Sequence, residues 1–110
     1  MGLVVVWTTR EREAALAMAL VYARNALLRG HFARVRLLVW GPSAKVLACD
    51  PELQEAVVAC RAAGVDVAAC RECAEVFEVA ECLSRLGLAL VAGDATLSDA
   101  LKDGWKVVSV

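Results

Sequence analysis

Short apolar runs alternate with longer amphipathic stretches along this chain, and that alternation limits the possible folds more than any other feature. The first run, LVVVWT at residues 3–8, is uninterrupted and rich in β-branched residues, which is typical of a strand buried on both faces of a sheet. The next stretch, residues 10–29, carries apolar residues at helical spacing among Glu and Arg. Similar alternation continues to residue 110.

The alternation predicts five strands joined by helices. The predicted strands span residues 3–8, 33–40, 65–69, 88–92 and 105–110. The predicted helices span residues 10–29, 43–49, 51–63, 71–86 with an interruption near Glu78, and 94–103. Strands that alternate with helices pair in parallel through right-handed crossovers. We therefore predict one α/β domain over residues 1–110, a three-layer α/β/α sandwich with a five-stranded, mainly parallel sheet.

Residues that favour helix ends support these boundaries. Asp50 followed by Pro51 predicts the start of the helix at residues 51–63, and Gly64 predicts its end. Four side chains are candidates for capping the first and last helices: Thr8, Thr9, Asp94 and Thr96.

Charge and hydropathy exclude several classes of function. Twelve basic and thirteen acidic residues nearly cancel, and no Lys/Arg cluster forms a basic stripe, so nucleic acid is not an expected partner. Although 60% of the residues are apolar, charges interrupt every stretch of the roughly 18 residues that a membrane span needs. Residues 1–6 are apolar but too short for a signal peptide, because charged residues begin at Arg10. We expect a cytoplasmic protein without membrane contact.

Cysteine is the residue type in this sequence with the most reactive side chain. Five cysteines are an odd number for a disulfide framework, so we expect reduced thiols. Cys70 and Cys73 form a CxxC pair where the third predicted strand gives way to a helix. Functional sites of open parallel sheets lie at the carboxyl ends of the strands. The candidate positions are residues 8–10, 41–43, 70–73 and 93–96.

A metal is the least supported use of the CxxC pair. Zinc needs two further ligands at suitable spacing, and the sequence has no second pair. We interpret His31 as a solvated turn residue. The three other cysteines lie singly in predicted helices and are interpreted as packing residues: Cys49, Cys60 and Cys82. No metal and no cofactor are therefore expected.

Redox chemistry and nucleophilic chemistry both remain open for Cys70. Thioredoxin-like proteins place a CxxC at a similar junction, but after an early strand, so only a disulfide switch between Cys70 and Cys73 would carry over. Alternatively, Cys70 beside Arg71 attacks the outer sulfur of a persulfide, and Cys73 resolves the product or passes the sulfur on. A buried, inert Cys70 is the third interpretation.

Four stretches together resemble the DsrE/DsrF-like (YchN-like) family of small sulfur-relay proteins. They are the quoted segments TTREREAALAMAL, VWGPSAKVL, AAGVDVAACRECAEV and LKDGWKVVSV. The resemblance implies a five-stranded α/β/α domain, assembly into trimers or hexamers, and a cysteine after the third strand that accepts sulfur as a persulfide. That cysteine corresponds to Cys70. Members often have glycine or another small residue where this chain has Phe77 and Glu78, so the loop over Cys70 is expected to differ.

The resulting hypothesis is a sulfur carrier or sulfurtransferase with Cys70 and Cys73 as its catalytic residues. The implied partners are sulfur donor and acceptor proteins and further copies of the chain. A homo-oligomer is also expected from size, because a domain this short leaves much apolar surface uncovered. The competing hypothesis is a non-catalytic module that binds a small ligand or a protein, with structural thiols.

Overall fold

We analysed a computed structural model that describes residues 2–110. Met1 lies outside the described residues; it is the first residue of the apolar segment that was considered above as a signal peptide. The structure contains five strands: β1 Leu3–Trp7, β2 Val35–Val39, β3 Asp66–Cys70, β4 Ala89–Val91 and β5 Lys106–Ser109. Helix α1 spans residues 12–28, and the others are α2 Ser43–Cys49, α3 Pro51–Ala63, α4 Arg71–Val76, α5 Ala80–Arg85 and α6 Gly93–Lys102. All five predicted strands are present, with boundaries shifted by a few residues.

The strands form one sheet in the order β4-β3-β2-β1-β5, and every neighbouring pair is parallel. The prediction of a mainly parallel α/β fold is therefore confirmed, and the sheet is parallel throughout. The first three connections step along the sheet in one direction, so right-handed crossovers place helices α1 to α5 on one face. The return from β4 to β5 places α6 on the other face.

Burial follows this arrangement. The larger core lies under α1 to α5 and includes Trp7, Leu37 and Val67. The smaller core lies under α6, where Ala100 packs with Leu38 and neighbouring sheet residues. Strand residues that alternate between the two faces are buried on both, which explains the uninterrupted apolar runs in the sequence.

Two of the predicted helix caps are wrong in detail. Helix α1 begins at Arg12 without a side-chain cap, and the Thr9 hydroxyl instead accepts a hydrogen bond from the Glu11 N–H in the preceding turn. Helix α6 begins at Gly93 and also lacks a side-chain cap, although Asp94 or Thr96 was expected to supply one. The reason is that the N-cap positions are Glu11 and Ala92, two or more residues away from the predicted capping residues.

The Asp50 cap is confirmed. Its carboxylate accepts hydrogen bonds from the N–H groups of Glu52 and Leu53, and Pro51 occupies the first turn. Gly64 ends α3 in the left-handed conformation, with a φ of 106°. These residues fix where α3 starts and stops, and hence where β3 begins.

The predicted interruption near Glu78 is also confirmed. Helices α4 and α5 are separate, and Glu78 between them adopts a φ of 57°, a left-handed conformation that favours glycine. The chain thus turns at Glu78, between the two helices. In α1, residues 15–20 form a π-helical segment that periodicity did not predict.

No helix within residues 2–110 is long and apolar enough to cross a membrane.

Candidate functional site

Cys70 lies at the carboxyl end of a central strand. It is the last residue of β3 and also the cap of α4, so its backbone changes from extended to helical at this point. The strand extends one residue beyond the predicted end at Ala69. Cys70 is 4% exposed, but its side chain contributes to the wall of a surface cleft. Cys70 is therefore nearly buried and yet borders an open cleft.

Cys73 lies one helical turn after Cys70 and is linked to it by hydrogen bonding. The Cys73 N–H donates to Cys70 Sγ at 3.5 Å, and the Gly41 N–H donates to Cys73 Sγ at 3.3 Å. Burial raises the pKa of the Cys73 thiol, while the bond from Gly41 acts in the opposite direction. The backbone of Cys73 is thus bonded to the Cys70 sulfur, and Cys73 is the less buried of the two residues.

The cleft beside Cys70 has a volume of about 410 Å³. Its lining comes from the ends of β2, β3 and β4 and from the starts of α4 and α6. The residues are Trp40, Cys70, Arg71, Glu72, Glu75, Ala92, Gly93 and Asp94. Of the four candidate segments, the structure therefore brings 70–73 and 93–96 to this cleft, and 41–43 to its rear through Gly41.

Gly93 is packed closely against Cys70, so that a side chain here would require a small shift of its neighbours. A Cβ atom at position 93 would lie 3.2 Å from Cys70 Cβ, 3.2 Å from Trp40 Cε2 and 3.3 Å from Cys70 Sγ. These distances are tighter than almost all real Cβ contacts. Gly93 therefore lets α6 approach β3 and keeps space free at the sulfur atom.

Residues 8–10, 42 and 43 do not line the cleft. Ser43 is buried, and its hydroxyl donates to the Trp7 carbonyl at 2.5 Å and accepts from the Trp40 N–H at 3.1 Å. It holds the ends of β1 and β2 together and does not face the cleft. Arg10 lines a different groove, together with Phe77 and the exposed Cys49.

The remaining cysteines lie outside the cleft, and the packing interpretation is only partly right. Cys60 is buried, and its thiol donates to the Leu20 carbonyl at 3.4 Å. Burial raises the pKa of Cys60 to about 11, which makes this thiol inert at neutral pH. Cys82 is half-buried, but Cys49 is exposed, so the prediction that it packs is wrong; it ends the short helix α2 at the surface.

No group of three or more His, Cys, Asp or Glu side chains that could hold a metal ion is found within residues 2–110. His31 is exposed in the turn after α1.

Several site residues escaped the sequence analysis. Trp40, the last residue of the second predicted strand, forms a wall of the Cys70 cleft. Glu72 and Glu75 lie in the predicted helix at residues 71–86, and their spacing of three places both on one face of that helix. Their position directly after Cys70 was the available signal. The contact between Gly93 and Cys70 had no local signal, because it depends on β3 and β4 being neighbours.

Two solved structures resemble this fold. A conserved protein of unknown function from Bacteroides thetaiotaomicron has a TM-score of 0.93 and 30% sequence identity, covering 98% of this chain and 93% of that one. A protein of unknown function from Methanobacterium thermoautotrophicum has a TM-score of 0.79 and 19% identity, covering 100% of both chains. No curated protein matches the chain significantly.

A family model also matches the sequence, and its match extends over residues 1–110. The parallel α/β fold agrees with this match. The chain belongs to the DsrE/DsrF-like family.

Proposed function

We propose that this protein carries sulfane sulfur as a persulfide on Cys70. The observation that carries the proposal is the position of the Cys70 thiol, which is shielded from bulk solvent but lines an open cleft at the carboxyl ends of the strands. Persulfides are reactive, so a carrier needs both shielding and an entrance. Membership of the DsrE/DsrF-like family supports the same function, because the resemblance to that family implies sulfur relay.

The proposed role of Cys73 is to assist. Its N–H already donates to Cys70 Sγ, and a sulfur atom that becomes an anion gains from such a bond. Its thiol lies one turn away, where it could take over the sulfur or release it by forming a disulfide with Cys70. Cys70 is the first acceptor in this proposal, because it lines the cleft and Cys73 does not.

Intact-protein mass spectrometry tests the proposal. The reduced protein is incubated with a persulfide donor beside the variants Cys70→Ser and Cys73→Ser. We expect a gain of one sulfur atom in the parent protein, no gain in Cys70→Ser, and a retained gain in Cys73→Ser. Sulfur uptake that is independent of Cys70 would overturn the proposal. Loss of two hydrogen atoms that requires both thiols would favour the alternative function, a CxxC redox switch.

We also propose that the chain forms a homo-oligomer, a trimer or a hexamer. A cleft of about 400 Å³ between α1 and the edge strand β5 is lined by Met18, Val21, Tyr22 and Val108. These four apolar side chains are all exposed, Met18 by 58%. Strand β5 pairs only with β1, so its outer edge offers free backbone groups beside this cleft. A second copy would cover both features.

A further inference from the structure

The cleft that contains Cys70 has an acidic entrance. Glu72, Glu75 and Asp94 line it, all three are exposed, and none forms an ion pair with another residue of 2–110. The only cationic side chain in the lining is Arg71. With three carboxylates and one guanidinium, the lining carries two net negative charges.

Arg71 is held at the rim by the neighbouring strand. Its guanidinium donates a hydrogen bond to the Leu90 carbonyl, with Nη2 and O separated by 2.7 Å. The bond fixes the guanidinium against β4. The three carboxylates instead come from two different helices: Glu72 and Glu75 from α4 and Asp94 from α6. They therefore approach the entrance from two sides.

We infer that the sulfur donor for Cys70 is a persulfide that carries positive charge next to its sulfur atoms. This inference rests on the proposed function of Cys70. Charges that line a cleft raise the local concentration of ligands of opposite sign and lower that of ligands of the same sign. A small anionic persulfide is repelled from this entrance, whereas an amino-substituted persulfide, or a cysteine persulfide flanked by Lys or Arg on another protein, is attracted.

The transfer step conserves atoms and electrons. The Cys70 thiolate, having released its proton to solvent, attacks the outer sulfur of R–S–SH. The new bond joins Cys70 Sγ to that outer sulfur, and the S–S bond of the donor breaks. The electron pair of the broken bond leaves with R–S⁻, which takes up a proton to become R–SH. No oxidant or reductant is consumed, because the sulfane sulfur keeps its oxidation state.

Competing donors of opposite charge test the inference. The persulfides of cysteamine and of 3-mercaptopropionate are similar in size, but at neutral pH the first carries an ammonium group and the second a carboxylate. They are called the cationic and the anionic donor after these groups. Initial rates of sulfur uptake are measured by intact mass on the full chain at low ionic strength. A second pair of donors, short peptides with a cysteine persulfide flanked by two Lys or by two Glu, separates a protein source from a small-molecule source.

A charge-neutral variant and a matched control make the test specific. The variant Glu72→Gln/Glu75→Gln/Asp94→Asn removes the three carboxylates of the entrance. The control Glu13→Gln/Glu55→Gln/Asp103→Asn makes the same change in net charge at exposed positions that do not line the cleft. All six side chains are exposed, so both variants are expected to fold.

We expect the cationic donor to react at least about tenfold faster than the anionic one in the parent protein and in the control, with the ratio falling towards one in the neutral variant and in high salt. Equal rates for both donors, or a preference that persists in the neutral variant, would overturn the inference and leave the proposed function intact. Absence of Cys70-dependent uptake from all donors would overturn both.

Discussion

At the scale of single residues, the contact between Cys70 and Gly93 determines how much space the reactive sulfur has. Both residues are buried, yet both contribute to the cleft wall. Glycine at position 93 leaves room for the close approach of Cys70 and Trp40. Its backbone conformation is one that other residues could adopt, since its φ is not positive.

The substitution Gly93→Ala is expected to slow sulfur loading of Cys70. The added methyl group would lie 3.3 Å from Cys70 Sγ, so the sulfur or α6 must shift by a few tenths of an ångström. We predict a loading rate about tenfold lower, since small misplacements of reacting atoms have large effects on rate. The control Ala95→Val adds volume at an exposed position of the same helix and is expected to load normally. Normal loading of Gly93→Ala would show that this contact does not limit the reaction.

Cys60 gives a residue-scale prediction about pH and stability. Its pKa is about 11 in the fold, against 9.0 for an unperturbed thiol, so the unfolded chain loses this proton first as the pH rises. The stabilising contribution is complete below pH 9.0 and declines as the pH rises towards about 11. We expect the free energy of unfolding to fall by about 2 kcal/mol more in the parent protein than in Cys60→Ala over this range. Denaturant titrations under reducing conditions measure the free energy of unfolding at each pH. The same pH dependence of this free energy in both proteins would contradict the effect of burial on Cys60.

At the scale of elements, the site could be located from sequence because functional sites of open parallel sheets lie at the carboxyl ends of neighbouring strands. The junction at Cys70 was predictable, because an apolar run of β-branched and small residues ends there and a helix-forming stretch begins. The break between α4 and α5 was predictable from the change of apolar phase near Glu78. The π-helical part of α1 was not predictable, because π segments are rare and occur mostly as single turns inside α-helices.

The turn at Glu78 provides a test at this scale. A left-handed conformation costs a residue with a Cβ atom about 1 kcal/mol or more, and glycine avoids this cost. We therefore expect Glu78→Gly to raise the free energy of unfolding by about 0.5–1 kcal/mol, after allowing for the greater freedom of glycine in the unfolded chain. The matched change Glu75→Gly, within α4, is expected to lower it by about 1 kcal/mol. Destabilisation by both substitutions would show that the turn stores no such strain.

At the scale of the whole molecule, the strand order determines which segments share the site. Cys70 and Gly93 belong to different crossovers and meet because β3 and β4 are neighbours at one side of the sheet. The sequence predicted the α/β class, but the order of strands depends on long-range packing that local patterns do not encode. The acidic lining of the cleft forms because the starts of α4 and α6, on opposite faces of the sheet, meet at the carboxyl ends of β3 and β4.

The apolar cleft between α1 and β5 predicts assembly. Size-exclusion chromatography with light scattering should give a trimer or hexamer at micromolar concentration. The double variant Met18→Lys/Tyr22→Lys should dissociate it, because two buried charges would replace apolar contacts. The control Leu101→Lys changes an exposed apolar residue outside this cleft and should leave assembly unchanged. A monomeric parent protein would contradict the proposed oligomer.

The most direct test of sulfur carriage uses proteins with one thiol each. The first protein keeps only Cys70, and alanine replaces Cys49, Cys60, Cys73 and Cys82. The second protein keeps only Cys73, and alanine replaces Cys49, Cys60, Cys70 and Cys82. After exposure to a cationic persulfide, intact mass should show one added sulfur atom on the Cys70 protein and little on the Cys73 protein. Sulfur on the Cys73 protein alone, or on neither folded protein, would contradict the assignment of Cys70 as the sulfur carrier.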